Sequence, residues 1–211
     1  MDNKRILIAD DHFAIRAGIK HILITEFPGM EFGEATSATD VFYKVKNQKW
    51  NIIILDINLP GRNGLDILKQ LKVDKVRIPV LVFSMHREDV LAVRALKAGA
   101  SGYLSKDAAS IELVQAMHQL LSGRKYITLP VAELMASQLE NPENRAPHEL
   151  LSDREYQILL LIASGFTISQ IATQLSLGIS TISTYRARIL EKMGFKNNAE
   201  LTHYVIDNKL F

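Results

Sequence analysis

The chain has 211 residues, 47% of them hydrophobic and 23% charged, with a formal net charge of +2; these are ordinary globular proportions with length enough for two cores. Lacking cysteine altogether, it has no disulfide framework and no thiolate metal site, and a cytoplasmic address is expected. The balanced charge does not announce a nucleic-acid partner, and with neither a secretory signal nor a long apolar stretch no membrane partner is expected.

Up to about Gly123, short β-branched runs alternate five times with segments of helical period, the rhythm of a parallel sheet. The expected strands are Ile6 to Ala9, Glu31 to Ala35, Ile52 to Leu55, Val80 to Phe83 and Gly102 to Leu104. The expected helices lie near 13–26, 39–48, 64–73, 87–98 and 107–121. The third and fourth strands are nearly all apolar, as strands covered on both faces are. The predicted fold is α/β, a doubly wound (βα)5 three-layer sandwich whose site lies at the carboxyl ends of the strands.

From Arg124 the pattern changes. A short amphipathic piece, Val131 to Leu139, leads into ENPENRAPHE, rich in Pro, Asn and Glu and therefore read as linker. The remainder has helical apolar spacing in four segments. The expected layout is a first domain over 1–123, a linker over 124–148 and an all-α domain over 149–211.

The strand ends carry the chemistry. The run RILIADDH ends in Asp10 and Asp11, whose mutual repulsion suits either a wet loop or a cation site. The third strand delivers Asp56 in IIILDINLPGRNG, the fourth Ser84 in VLVFSMH and the fifth Lys106 in GYLSKD. Three carboxylates on one rim suit a hard divalent cation that keeps several waters, magnesium above all. With the cluster neutralised, one carboxylate could attack phosphorus, Lys106 could balance charge on the phosphoryl oxygens and Ser84 could donate to them.

In this combination residues 1–123 resemble the receiver domain of two-component response regulators. The resemblance implies that Asp56 is the phosphoacceptor and that Asp10 and Asp11 are the acidic pair of the Mg2+ site, Asp11 being the more direct ligand. It further implies that Asp56 and the backbone carbonyl of Asn58 complete the metal ligands, that Ser84 and Lys106 are the family's hydroxyl and lysine, and that Tyr103 is its switch aromatic. Pro60 and Gly64 fall where the family's loop after the phosphoacceptor has them. On phosphorylation Ser84 would swing toward the phosphoryl group and Tyr103 would turn inward, altering the surface of the fourth helix, fifth strand and fifth helix. His12, His86 and His118 could serve as phosphodonors or ligands, and His86, two residues past Ser84, could tune dephosphorylation, but isolated histidines near helix starts or on helices are more often surface residues and are read as such.

In the last domain GFTISQIATQLSLGISTISTYRARILEKMG reads as helix, tight turn, helix. Thr167 to Gln170 has the form of a capping box, with Ile168, Ile171, Ala172 and Leu175 facing a core. Gly178 supplies the break, and Gly194 ends the next helix. On that helix Ile182, Tyr185, Ile189 and Met193 form an apolar stripe. The opposite face of Ser183, Thr184, Ala187 and Arg188 suits either a solvated surface or a major groove in which Arg pairs with a guanine edge.

Residues 149–211 resemble the LuxR-type helix-turn-helix domain of NarL/FixJ response regulators, through LLSDRE (150–155), ASG (163–165), IA (171–172), STIS-Y-R (180–186), KMG (192–194) and AEL (199–201). The resemblance implies DNA contacts from Thr167, Ser169, Gln170, Thr181, Ser183, Thr184, Ala187 and Arg188. Ser169 and Ser183 stand where many relatives carry lysine, Tyr185 where histidine is common, and Gly178 where Ser or Thr often starts the helix. Basic and acidic residues balance from Glu149 onward, so weak monomer binding is expected and tight binding requires a dimer. The final helix, with Leu201, Tyr204, Val205, Leu210 and Phe211, serves packing, dimer contact or both.

Together these resemblances imply a two-component response regulator. A partner sensor histidine kinase would phosphorylate it on Asp56, and it would bind double-stranded DNA as a homodimer when active. It would regulate transcription as a switch and not as an enzyme. Two further readings are a regulator acting through protein-protein contacts, and a metal-dependent phosphohydrolase, for which the sequence displays neither a substrate pocket nor a general acid.

Overall fold

A computed structural model describes residues 4–60, 62–85, 88–108, 110–140 and 146–210. His86 and Phe211, named above, and residues 141–145 of the expected linker lie outside the described residues. The chain divides into two compact units, Met1–Ala132 and Glu133–Phe211.

In the first unit β1 (Arg5–Ala9), β2 (Glu31–Ala35), β3 (Ile52–Leu55), β4 (Val80–Ser84) and β5 (Gly102–Ser105) form one parallel sheet ordered β2-β1-β3-β4-β5. The connecting helices are α1 (Phe13–Glu26), α2 (Ala38–Asn47), α3 (Gly64–Val73), α4 (Glu88–Ala98) and α5 (Ser110–Leu121). β3 is buried along its whole length, which is why its sequence is an unbroken apolar run and not an alternation. One side of the core joins Ile6, Ile8, Ile54 and Phe83 to Leu113, Met117 and Leu120 of α5.

Pairing of Ile6 with Ile52 and of Ala9 with Leu55 sets the register of β1 on β3. The residues that follow, Asp10 and Asp56, therefore leave the sheet side by side. Each is still pinned to the neighbouring strand, Asp56 N–H donating to Ala9 O at 2.8 Å and Asp10 N–H to Ala35 O at 3.0 Å. On the other flank Ser84 pairs with Ser105, and Lys106 N–H donates to Ser84 O at 2.8 Å.

Local chemistry fixes the helix starts. Ser37 caps α2 by accepting from Asp40 N–H, and the buried Asn63 caps α3 by accepting from Leu65 N–H. At Gly64 an added Cβ would fall 2.7 Å from Ile57 Cα and 2.9 Å from Asp56 O. Only glycine allows α3 to begin this close to the loop after Asp56. Helix α5 begins at Ser110 rather than at 107, because Asp107 N–H donates to Ser105 Oγ and Ala108 N–H to Ser105 O, closing a turn.

Part of the region expected as linker forms regular structure. Tyr126 bridges Gly102 along the open edge of β5, and α6 (Leu129–Glu140) is longer than the amphipathic piece read from sequence. Its Pro130 sits in the first turn, where a missing N–H costs nothing.

The second unit contains a 3-10 turn (Pro147–Leu150), α7 (Asp153–Ala163), α8 (Ile168–Gln174), α9 (Ile179–Met193) and α10 (Asn198–Asp207). Ser152 with Glu155, and Thr167 with Gln170, form complete capping boxes on α7 and α8. Gly194 ends α9 in the left-handed region, at φ 71°. Ile158, Leu159, Ile171, Ile182, Ile189, Leu201 and Val205 make the core. Tyr185, placed with the core stripe by spacing, is half-buried. Ile168 and Leu175 are likewise only half-buried, at the two ends of a helix of seven residues.

Candidate functional site

At the carboxyl ends of β1, β3 and β5 the structure brings Asp10, Asp56 and Lys106 together. Lys106 Nζ lies 2.6 Å from Asp10 Oδ2 and 2.8 Å from Asp56 Oδ2, with all three side chains about 3% exposed. Asp11 stands at the mouth of the site, its side chain 35% exposed. Asn58 N–H donates to the other oxygen of Asp56 at 3.2 Å, which folds the loop after β3 back over the carboxylate. Ser84 is fully buried at the end of β4 and Tyr103 is buried on β5. The tyrosine expected to turn inward is therefore already covered here.

The charges are interdependent. Burial pushes the Asp56 carboxyl above the usual range, and Asp10 adds to this, whereas the charge and hydrogen bond of Lys106 oppose it. For Lys106 burial works against the ammonium, but Asp56 and Asp10 together outweigh it and hold its pKa above the ordinary value. A cluster with this much negative charge out of water calls for a second cation.

One ligand atom each from Asp10, Asp11, His12 and Asp56 falls within a span of 4.8 Å. Although Asp10 Oδ2 meets the lysine as an ion pair, it has no aligned hydrogen bond, so a buried carboxylate oxygen keeps open lone pairs. Carboxylate oxygens in this arrangement fit a hard divalent ion.

Two residues outside the sequence reading belong to the site. His12, read there as an isolated surface residue, packs Nδ1 2.8 Å from Asp11 Oδ1 and 3.3 Å from Asp10 Oδ1, and its N–H donates to Asp10 Oδ1. Adjacency to the aspartate pair was the available signal. Arg16, 8% exposed, donates from Nη1 to the Asp10 carbonyl at 2.9 Å and from Nε to Glu34 at 2.5 Å. Glu34 also pairs with Lys20. The hydrogen bond from Arg16, then that from Lys20, holds Glu34 below the usual carboxylate range. This network ties the loop carrying Asp10 to β2, and no periodicity in the sequence announces it.

In the second unit Thr167, Ser169, Gln170, Thr181, Ser183, Thr184, Ala187 and Arg188 are all exposed. The side chains of Thr167 and Gln170 bond each other in the capping box. Ser183 and Thr184 donate back to Ile179 O and Ser180 O, which keeps their hydroxyls close to the helix. A hollow of about 270 Å3 lies among Ser180, Thr181, Thr184, Tyr185 and Arg188. Of the other cations on α9, Arg186 is held by Asn198 at 2.6 Å and Lys192 by Glu155 at 2.7 Å. Arg188 has no ion pair or hydrogen bond among the described residues and is the cation this face presents.

Comparison with known proteins agrees with both halves. Residues 6–118 match the family described as response regulator receiver domain. Residues 149–205 match the family described as bacterial regulatory proteins, luxR family. The chain is 34% identical over 207 residues to the response regulator UvrY of Escherichia coli (strain K12), covering 97% of this chain and 94% of that one. It is 34% identical over 199 residues to the response regulator GacA of Pseudomonas viridiflava, covering 93% and 92%. Among solved structures, one on conformational dynamism for DNA interaction in the Salmonella typhimurium RcsB response regulator superposes with a TM-score of 0.72. It is 26% identical and covers 98% of each chain.

Proposed function

Because the chain belongs to the NarL/FixJ-type two-component response regulators, which join a receiver domain to a LuxR-type DNA-binding domain, we propose that Asp56 accepts the phosphoryl group of a partner histidine kinase and that this controls DNA binding by α9. The protein is a regulator of transcription and not an enzyme. The observation that carries the reading is the buried ion-paired cluster at the strand ends, in which Lys106 bridges Asp56 and Asp10.

In this reading Asp10, Asp11, Asp56 and the carbonyl of Asn58 hold Mg2+, which supplies charge neutralisation at the incoming phosphoryl group. The Asp56 carboxylate forms the new O–P bond as the P–N bond of the phosphohistidine breaks, and the imidazole leaves. Lys106 pairs with a phosphoryl oxygen and Ser84 donates to another. The added charge then biases Ser84, Tyr103 and the surface of α4, β5 and α5.

The DNA half of the reading rests on the exposed face of α9 with Arg188 available to a guanine edge. That face is poor in cations, so two copies on paired half-sites are required for tight binding. Such a protein works in the cytoplasm, where its DNA lies. The test is transfer of radiolabelled phosphate from a histidine kinase or acetyl phosphate with Mg2+, followed by DNA selection. Wild type should trap one phosphate and then enrich a sequence, and Asp56→Ala should do neither. Repeated turnover of a phosphomonoester, or selection without enrichment, would overturn the reading.

A further inference from the structure

At the amino ends of β4 and β5, on the opposite edge of the sheet from the carboxylates, α3 and α4 part to leave a groove of about 460 Å3. Its floor is aliphatic, made by Leu68, Leu71, Val80 and Leu96, all buried. Its rim carries Lys72, Lys75, Arg77 and Lys125, all exposed. We propose that this groove binds an amphiphilic anion, an aliphatic chain ending in a phosphate or carboxylate.

Charge is the first argument. Among the described residues no carboxylate lines the groove and none of the four rim cations has an ion pair or side-chain hydrogen bond, in a protein whose net charge is only +2. Asp74, the one acidic residue between Lys69 and Arg77, accepts from Gln70 Nε2 at 2.9 Å and lines a different hollow beside α2. The acid thus lies off the groove, whose rim carries only cations among the described residues.

A helix C-terminus favours cations by itself, and this accounts for Lys72 and Lys75. It does not account for Arg77, which precedes β4, or for Lys125, which follows α5. Two separate stretches, 72–77 and the residues after α5, converge on one rim. Lys75 moreover occupies the left-handed position after α3, at φ 56°, where Val76 N–H closes on Leu71 O. Glycine takes that place most readily, and a lysine there puts a charge at the groove in exchange for backbone ease.

The floor narrows the ligand class. No aromatic residue lines the groove among those described, so a nucleobase finds no stacking partner. An alkyl body lies against Leu96, the most exposed of the floor residues at 8%, while its head group meets the rim. The volume lies within the range of small-molecule sites, roughly 300 to 1,000 Å3.

The test titrates uniformly 15N-labelled full chain with decyl phosphate, decanoate and inorganic phosphate, each below any micelle concentration, while amide shifts are followed. Decyl phosphate or decanoate should produce saturable shifts in residues 68–80 and 96–101, and whichever binds more tightly identifies the head group. Inorganic phosphate should bind at least about ten-fold more weakly, since it leaves the floor uncovered. The exposed triple variant Lys72→Glu, Arg77→Glu, Lys125→Glu should lose about ten-fold or more in affinity, and Lys46→Glu beside α2 should change it less than about two-fold. The proposal fails if neither amphiphile saturates, if inorganic phosphate binds as tightly, or if Lys46→Glu weakens binding as much as the triple variant. Unchanged acceptance of phosphate at Asp56 by each variant serves as the folding control.

Discussion

Lys106 Nζ and Asp56 Oδ2 meet at 2.8 Å across fifty residues of chain, and the same ammonium also reaches Asp10. Removing it leaves two buried carboxylates facing each other. Lys106→Met is expected to cost about 3 kcal/mol of stability in the absence of divalent ions, as breaking a buried pair does. Millimolar Mg2+ should restore part of the loss by supplying the missing charge. Urea unfolding with and without Mg2+ checks this, and an equal loss in both conditions would show that the cation does not sit at the aspartates.

Arg16 should act on the same site from behind. Arg16→Ala frees the Asp10 carbonyl and leaves Glu34 with fewer partners, at an expected cost of about 2 kcal/mol. Because the loop carrying Asp10 and Asp11 loses its side-chain tie to β2 and keeps only the bond from Asp10 N–H to Ala35 O, Mg2+ affinity should fall as well. Arg16→Lys, which can keep one of the two bonds, should recover part of both. Calorimetric Mg2+ titration of the two variants is the measurement, and unchanged Mg2+ affinity in Arg16→Ala would reduce Arg16 to a packing residue.

Glu155 gives the second unit its own acid sensitivity. Burial of this carboxyl raises its pKa, but the hydrogen bond from Lys192 and those from Ser152 prevail and hold it below the usual carboxylate range. The stability it contributes is therefore complete above about pH 4.5 and is lost as the pH falls through the lower folded value. Glu155→Gln should be less stable than wild type near pH 7, and the difference should shrink as the medium is acidified to about pH 3. Urea unfolding followed by signals of the second unit gives both limbs, and a constant gap at all pH values would contradict the assignment.

The face of α9 predicts opposite outcomes for two substitutions. Arg188→Ala should lose about 1 to 3 kcal/mol of discrimination at one base pair, read as relaxed selection at that position. Ser183→Lys should strengthen binding to all sequences and steepen the salt slope by about one unit per subunit. Filter binding over a salt series separates them. A selectivity gain from the lysine, or uniform weakening from the alanine, would reverse the roles given to these positions.

Much of the architecture was legible because it follows from periodicity. Unbroken apolar runs marked β3 and β4, and their ends marked the rim on which Asp10, Asp56 and Lys106 meet. The capping box of α8 was legible as spacing. What escaped notice depends on contacts that carry no period. The turn at Ser105 that delays α5 is side chain to backbone chemistry, and the link from Arg16 to Glu34 joins α1 to β2. Tyr185 fell on an apolar stripe by count, yet it lies at the edge of the domain core beside a hollow. His12 reads as an isolated histidine, although the two residues before it are the carboxylates it contacts.

The pairing of Ala9 with Leu55, and the bonds from Asp56 N–H to Ala9 O and from Asp10 N–H to Ala35 O, restrict how this site can change over generations. Inserting a single residue within β1 or β3 would advance the chain by about 3.3 Å and turn every following side chain to the opposite face. A lineage can therefore retune the site by exchanging side chains, but not by lengthening or shortening these strands. Lengthening is tolerated instead beyond the pairing, in the loops, where a new residue displaces no ladder bond. Variation in signal and partner should accumulate there, around a charge cluster whose spacing is held by the backbone.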